Sequence, residues 1–327
     1  MPTLKHSYNG FNYNVDNDLQ QNKLPVIQIE SNKYPDKPTV LYHYYNMSQY
    51  SMDSLCEHYI YANHPFDFND PFDCNRDLIS FEKASLEEIY ALNKISKPDE
   101  IKRLFYSKKQ EDTILLYDLL KWLIYNVIYL KTGIFCMTSK KDSMEMWSYY
   151  TGHRGFVLEF DIQSLPSNHW GPFPINYTDR FEKIDYSIFK AFSFIYQSNI
   201  KSKCWDHERE WRLIFYGPNM MSVPFKYKTD AHDRKFYYDP KVIKQIILGF
   251  YFFEMNEYDT TLSSPNRYVV KLKKNITCRR GILKYIISNN LSVSMINLKR
   301  ESSSDLGSRP IQLKMISPNK YEVKYLD

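Results

Sequence analysis

Gly152-His-Arg-Gly-Phe-Val-Leu-Glu-Phe-Asp161 joins a turn to an alternating segment. Gly152 and Gly155 mark the turn, and the residues at positions 156, 158 and 160 that follow it are apolar. A period of two is typical of a β-strand with one buried face. The sequence therefore predicts a strand over Phe156–Asp161 that enters a sheet directly from a turn.

Further apolar segments on both sides of this strand predict the rest of a sheet. They are Thr39–Tyr45, Ile134–Thr138, Trp211–Tyr216 and Val242–Leu248. Residues 81–131 show helical periodicity instead, and Ser85 followed by Glu88 is typical of a capping box. We predict an α+β fold with a central, mostly antiparallel sheet. A polar N-terminal extension (1–39) precedes a core domain (40–250) that carries the helical insertion, and a C-terminal α/β extension (251–327) packs on the core.

The composition excludes several classes of protein but does not indicate a specific function. The 327 residues carry a net charge of +5, which allows a polyanionic ligand or nucleic acid but does not require one. Five cysteines with no CxxC pair argue against a disulfide framework and favour a reducing cytoplasm. Asp118 and Lys121 interrupt the apolar segment Thr113–Leu130, which predicts a buried helix rather than a membrane span. The phosphate-binding, nucleophile-elbow and zinc-protease motifs GxxxxGK, GxGxxG, GxSxG and HExxH do not occur.

The first segment with candidate chemistry is His64-Pro-Phe-Asp-Phe-Asn-Asp-Pro-Phe-Asp73. Asp67, Asp70 and Asp73 recur every third residue with Asn69 among them, and such oxygens suit a hard cation or a polar ligand. The alternative is a turn whose short polar side chains bond to the local backbone. We count Asn69, Asp70 and Asp73 as candidate ligand-binding residues and predict no metal.

The second segment is Met144-Glu-Met-Trp-Ser-Tyr-Tyr-Thr-Gly-His-Arg-Gly155. On a helix, Trp147 and Tyr150 are three residues apart and share a face. With His153 and Arg154 they could stack on a base and bind a phosphate. Core aromatics followed by a surface turn would explain the same residues.

The third segment is Trp205-Asp-His-Glu-Arg-Glu-Trp-Arg212. In an extended chain, Glu208, Glu210 and Arg212 point to the same side. Two neighbouring carboxylates can raise one another's pKa or bind the hydroxyls of a sugar. A ladder of charges on an exposed face is the alternative.

These segments occur in a fixed order with several apolar strands. The motifs are LYHY, FNDPFD, IFCMTS, MWSYY with the turn to Gly155, the strand ending at Asp161, EREWR and IILG, at Leu41–Tyr44, Phe68–Asp73, Ile134–Ser139, Met146–Gly155, Phe156–Asp161, Glu208–Arg212 and Ile246–Gly249. In this order they resemble the bacterial family called domain of unknown function 2971. The resemblance covers residues 40–250 and implies that the three polar-aromatic segments belong to one site.

A second resemblance suggests an activity. His43 on an aromatic strand, Tyr61, and Glu208-x-Glu210 follow the order of functional residues in ADP-ribosyltransferase-like enzymes. The resemblance implies that His43 holds a ribose, Tyr61 stacks on nicotinamide, and Glu210, with Glu208 nearby, stabilises the sugar cation formed when NAD is cleaved. It also implies a cytoplasmic enzyme that acts as a toxin or anti-phage effector, with NAD as its substrate and a macromolecule, nucleic acid included, as its acceptor.

Two further hypotheses stay open at this point. A metal-dependent nuclease or phosphohydrolase would use Asp67, Asp70, Asp73 and Glu210. A non-catalytic module would grip a nucleotide or peptide with Trp147, Tyr150, Arg154 and Arg212. In none of the three does the sequence predict contact with a membrane.

Overall fold

The computed structural model describes residues 4–16, 25–34, 36–92, 98–124, 131–216, 234–260, 264, 266–299 and 306–326. The strands are β1 Leu4–Tyr8, β2 Phe11–Asp16, β3 Val26–Ser31, β4 Val40–Tyr45, β5 Tyr59–Tyr61, β6 Ile79–Ser80, β7 Thr132–Thr138, β8 Phe156–Asp161, β9 His169–Pro174, β10 Asn176–Thr178, β11 Ile184–Asp185, β12 Ile200–Ser202, β13 Glu210–Tyr216, β14 Lys235–Tyr237, β15 Ile243–Leu248, β16 Arg267–Lys271, β17 Val293–Leu298, β18 Leu306–Ser317 and β19 Lys320–Tyr325. The α-helices are α1 Gln49–Glu57, α2 Leu86–Leu92, α3 Pro98–Phe105, α4 Gln110–Leu123, α5 Met144–Met146, α6 Tyr186–Phe189, α7 Ser193–Gln197 and α8 Ile276–Ser288.

A ten-stranded sheet in the order β16-β19-β18-β17-β15-β8-β4-β7-β13-β9 forms the centre of the molecule. Neighbouring strands are antiparallel except for β15 and β17, which are parallel. The fold is α+β with a mostly antiparallel central sheet, as predicted. The strand predicted over Phe156–Asp161 is confirmed as β8, between β4 and β15.

The two faces of this sheet are covered by different elements. Leu41, Phe135, Phe156 and Leu213 point to one face, where they pack with residues of α1 and α8. We call this the α1/α8 face. The opposite face carries two separate apolar clusters, one over β7 and β13 and one over β4, β8 and β15. Where these two clusters approach each other, the sheet carries polar side chains.

The helices of the insertion agree with the capping and periodicity signals in its sequence. The capping box predicted at the start of α2 is confirmed, because Ser85 and Glu88 exchange hydrogen bonds of 3.0 and 3.1 Å. Leu116 and Leu120 of α4 are buried, and no helix among the described residues is both long and apolar enough to cross a membrane. The end of the predicted helix, residues 125–130, lies outside the described residues.

The N-terminal segment has more structure than we predicted. In the segment that we predicted only as a polar extension, β1, β2 and β3 form an antiparallel sheet. Phe11, Tyr13 and Val15 alternate with polar residues and are buried, and the ring of Tyr13 contacts the rings of Phe189 and Tyr196. The missed signal was this alternation, which a high content of Asn and Asp obscures.

In two other regions the secondary-structure elements are divided or joined differently from what the sequence predicts. The sequence from Ile184 to Ser198 has an amphipathic pattern that predicts a single helix, but the structure divides this segment into β11, α6, a 3-10 turn and α7. In the C-terminal segment, β16 to β19 do not form a separate layer but continue the central sheet beyond β15. The apolar residues of α8 complete the cover of the α1/α8 face.

Candidate functional site

Five charged side chains meet on the sheet face opposite the α1/α8 face. We call them the charged cluster: Asp73, Lys201, Glu208, Glu210 and Arg212. Each of these residues is at most 7% exposed. Charges are rarely buried to this extent unless each one is paired, and the pairing in the cluster is dense.

Arg212 of β13 is the centre of the cluster. Its guanidinium binds both carboxylate oxygens of Asp73, at 2.8 and 2.5 Å, and both of Glu210, at 2.7 and 3.2 Å. A further bond of 2.7 Å goes to the carbonyl oxygen of Ser198, and the ring of Phe68 lies 5.3 Å from the guanidinium carbon. The planar fork of arginine suits such bidentate pairing. Arg212 therefore ties the loop around Phe68–Asp73 to the end of β13.

Lys201 of β12 is the second cation, and sequence reasoning missed it. Its Nζ lies 2.5 Å from Glu208 Oε2, 2.9 Å from Glu210 Oε2 and 3.8 Å from Asp73 Oδ2. Burial opposes the charge on Lys201, but the surrounding carboxylates outweigh burial and raise its pKa. The available signal was an excess of carboxylates in the segment that ends at Arg212.

Glu210 is held in its ionised form. Burial alone would raise the pKa of its carboxyl group, but Arg212 and Lys201 outweigh burial and lower that pKa. Its backbone N–H donates a hydrogen bond of 2.8 Å to the hydroxyl oxygen of Tyr177. Both ends of the residue are therefore fixed.

Glu208 is in a different situation two residues earlier. It ends the 3-10 turn Lys203–Glu208, and Arg209 then adopts a left-handed conformation with φ of 46° that leads into β13. The hydroxyl of Tyr150 donates a hydrogen bond of 2.5 Å to Glu208 Oε1. Burial and the negative charge of Glu210 raise the pKa of Glu208.

The charge balance of the cluster points to Glu208 as its titratable member. Three carboxyl groups and two cations leave one excess negative charge when every group is ionised. Asp73 and Glu210 each bind Arg212, whereas Glu208 is bonded to Lys201 and to the neutral Tyr150. A proton on Glu208 makes the cluster neutral, and its loss makes Glu208 a base in a poorly solvated position.

Three aromatic residues with partly or largely exposed side chains extend from Lys201 towards solvent. The ring of Trp205 lies 5.2 Å from Lys201 Nζ, and the ring centroids of Trp205 and His207 are 6.0 Å apart. Tyr149, which is 70% exposed, lies 6.2 Å from His207. We call Tyr149, Trp205 and His207 the aromatic surface. It offers ring faces to a planar ligand next to the charged cluster.

The structure brings together some predicted site residues and separates others. Glu208, Glu210, Arg212, Asp73 and Tyr150 meet in the charged cluster or touch it. This places one residue or more from each of the three polar-aromatic segments at the same site.

The three aspartates of the segment His64–Asp73 do not meet at one site. Asp67 and Asn69 are exposed, and Asp70 is buried with Oδ1 accepting the N–H of Phe72 at 2.9 Å. Asp73 alone of the three aspartates joins the charged cluster. Among the described residues, no group of three or more His, Cys, Asp or Glu side chains is arranged to hold a metal ion.

Trp147 and Arg154 do not form the stacking surface that we predicted with Tyr150. Trp147 is fully buried in the apolar cluster over β4 and β8, with its indole N–H donating to the carbonyl of Lys141. Arg154 is exposed, 6.0 Å from the ring of Tyr251. The segment 147–151 is a π-helix, so the spacing of side chains differs from that of the predicted α-helix.

His43 and Glu210 lie on opposite faces of the sheet. The imidazole of His43 stacks on Phe135 at 4.4 Å on the α1/α8 face, and its Nδ1 lies 2.6 Å from the carbonyl oxygen of Cys136. Neighbouring side chains on a strand point to opposite faces, and the Cys136 thiol is hydrogen-bonded to Glu210. The predicted grouping of His43 with Glu210 is therefore wrong.

Tyr61 lies on β5, in a two-stranded sheet with β14. Its hydroxyl has Arg234 and Asp67 as charged neighbours, and burial raises its pKa. These contacts differ from those of Glu210, whose charged neighbours are Arg212 and Lys201.

The buried imidazole of His43 predicts a pH effect on stability. Burial lowers its pKa from 6.5 to about 4, so between these values the unfolded chain binds more protons than the folded chain. The contribution of neutral His43 to stability is therefore present above pH 6.5 and is lost as the pH falls towards 4. Urea unfolding of wild type and His43→Gln across this range should show a steeper loss for wild type. Parallel curves would contradict this assignment.

Comparisons with known proteins give no further guide to function. No family model matches the sequence, and neither the curated proteins nor the solved structures give a significant match. Both resemblances described above therefore stay predictions.

Proposed function

We propose that this protein is an ADP-ribosyltransferase-like enzyme that cleaves NAD and transfers ADP-ribose to water or to a macromolecule. The supporting observation is the acid pair: Glu208 and Glu210 share Lys201, yet their surroundings move their pKa values in opposite directions. Such a division between neighbouring carboxyl groups is typical of acid–base sites. Loss of NAD, or modification of an essential macromolecule, would suit a toxin or anti-phage effector.

The first step needs a negative charge near the ribose. When the bond between ribose C1′ and the nicotinamide nitrogen breaks, its electron pair leaves with neutral nicotinamide, and positive charge develops on the sugar ring. A carboxylate held in a poorly solvated site stabilises such an oxocarbenium-like state. Ionised Glu208 supplies this charge in place of Glu210, to which the resemblance assigns this role, because both carboxylate oxygens of Glu210 are bound to Arg212 and one of them also to Lys201.

The second step needs a base. A water molecule or an acceptor hydroxyl forms a bond to C1′ and loses its proton, which Glu208 accepts. The raised pKa of Glu208 suits this role, because a base is most effective when its pKa is near the working pH. Lys201 and Tyr150 hold the carboxyl group in place.

The aromatic surface could bind the substrate by stacking. Trp205 of this surface is partly exposed and contacts Lys201, and the neighbouring Tyr150 is partly exposed and contacts Glu208, so a ligand approaches the acid pair from this side. A nicotinamide ring stacked on this surface would lie next to the carboxyl group. This role replaces the one that the resemblance implies for Tyr61.

Incubation of the purified protein with NAD tests the proposal. Release of nicotinamide is followed by chromatography, and transfer is followed with labelled ADP-ribose in the presence of protein or nucleic acid acceptors. Glu322→Gln is a matched control, because Glu322 lies on β19, far along the sheet from β13. If wild type releases no more nicotinamide than buffer does across pH, salts and acceptors, the proposal is abandoned.

A non-catalytic binding module is the second candidate, and one observation favours it. All four carboxylate oxygens of Asp73 and Glu210 bind Arg212, as expected for a structural network. In that case the aromatic surface would bind a nucleotide or peptide without turnover. Saturable binding of NAD without release of nicotinamide would favour this candidate.

The geometry gives less support to a metal-dependent nuclease. Of the four carboxylates in that hypothesis, Asp73 and Glu210 bind Arg212, and Asp67 is exposed on a different part of the loop. A shared metal would have to displace Arg212 from two carboxylates at once.

A further inference from the structure

A cleft of about 640 Å³ lies beside the charged cluster, and none of the predicted site residues lines it. Its walls include Tyr8 and Lys33 from the N-terminal sheet, Tyr177, Arg180 and Phe181 from the chain after β10, and Lys203. A volume of this size is typical of small-molecule sites.

Tyr177 and Lys203 connect the cleft to the charged cluster. The hydroxyl oxygen of Tyr177 accepts the backbone N–H of Glu210 at 2.8 Å, while the same residue forms part of the wall of the cleft. Lys203 begins the 3-10 turn that ends at Glu208. A ligand in the cleft therefore touches elements that hold both members of the acid pair.

The side chains of the cleft suit an anion joined to a flat ring. Three exposed cations, Lys33, Arg180 and Lys203, line the cleft together with two carboxylates, Asp179 and Glu182. Among the described residues Lys203 pairs with Asp179 at 3.1 Å, whereas Lys33 and Arg180 have no ion-pair partner, so the remaining charge of the cleft is positive. Tyr8 and Phe181 add ring faces. The chain at Arg180 is fixed, because its carbonyl oxygen accepts hydrogen bonds from Thr178 Oγ1 and from the Tyr8 hydroxyl.

We infer that this cleft binds the phosphate-bearing part of a nucleotide substrate, with Lys33 and Arg180 as its phosphate ligands. The inference rests on the proposed function, because the cleft would hold the part of NAD that lies beyond the bond placed at Glu208. Arginine and lysine are the residues that most often bind phosphate oxygens, and the contact is strengthened by charge. The aromatic surface and the cleft would then hold opposite ends of one dinucleotide, joined by the turn Lys203–Glu208.

Binding of ADP-ribose, measured by calorimetry at low salt, tests the inference without any turnover. Wild type should bind it saturably, and Lys33→Ala and Arg180→Ala should each weaken binding about tenfold. Lys324→Ala, an exposed lysine on β19, is the control for net charge and should bind as wild type does. Adenosine, which has no phosphate, should bind much more weakly than ADP-ribose.

The inference is overturned if wild type fails to bind ADP-ribose at millimolar concentration, if the two variants bind as wild type does, or if adenosine binds equally well. The proposed function fails separately. Binding through Lys33 and Arg180 without release of nicotinamide from NAD would leave the cleft assigned and the enzyme proposal wrong. Release of nicotinamide by Lys33→Ala and Arg180→Ala with an unchanged KM for NAD would support the enzyme proposal and show that the cleft does not bind the substrate.

Discussion

Replacement of Arg212 by methionine is expected to lower the free energy of unfolding by about 3–5 kcal/mol. The side chain is 1% exposed and binds four carboxylate oxygens, two on Asp73 and two on Glu210. Without it, Lys201 alone faces three buried carboxyl groups. Removing one member of a buried ion pair costs far more than the pair itself contributes, because its partners stay buried without compensation.

Urea unfolding followed by circular dichroism measures this effect. Arg267→Met is the matched control, since Arg267 is exposed and pairs with Glu322 at 2.6 Å, and such a surface pair contributes about 0–1 kcal/mol. If Arg212→Met does not fold, the double variant Arg212→Met/Asp73→Asn should recover folded protein, because it removes one of the uncompensated charges. Unfolding of Arg212→Met at the same urea concentration as wild type would contradict the account of the cluster.

Replacement of Glu208 by glutamine is expected to reduce the rate of nicotinamide release by about 10²–10⁴-fold, the usual contribution of a positioned acid or base. The fold should persist, because the amide oxygen can accept the hydrogen bond from Lys201, while the amide N–H can donate to the hydroxyl oxygen of Tyr150. Glu322→Gln should keep the wild-type rate. An equal rate in wild type and Glu208→Gln would remove Glu208 from the mechanism.

The pH dependence separates a catalytic role of Glu208 from a structural one. The folded pKa of Glu208 is above its ordinary value of 4.5, so the folded chain holds a proton that the unfolded chain has lost. Stability should therefore fall as the pH rises through this window, and activity should rise as the base ionises. Tyr150→Phe should move the activity profile to higher pH, because the hydrogen bond from Tyr150 lowers the pKa of Glu208.

The fold was predictable where short-range signals agree with the long-range structure. Ser85 and Glu88 mark the start of a helix by direct contact with each other, and the alternation in Phe156–Asp161 predicts a strand whose one face is buried. The N-terminal strands were missed although Phe11, Tyr13 and Val15 show the same alternation, because their polar neighbours dominate the composition.

The candidate site was predictable only in part, because its contacts join distant segments. That Glu210 and Arg212 point together follows from strand geometry, whereas Glu208 reaches them from the 3-10 turn before β13 and not from an extended strand. Lys201 was missed because nothing in its own segment shows that it faces Asp73, more than a hundred residues away. His43 was misplaced because its order in the chain does not determine which face of the sheet its side chain occupies.

We expect that, in the pair formed by Glu208 and Glu210, only Glu208 titrates in the working pH range. Carbon-13 NMR of the glutamate carboxyl groups during a pH titration tests it directly, with the resonance of Glu208 assigned by its loss in Glu208→Gln. We predict a pKa above 4.5 for Glu208, a still higher pKa for Glu208 in Tyr150→Phe, and a carboxyl group at Glu210 that stays ionised through that range. A Glu208 resonance that titrates at or below 4.5 would contradict it.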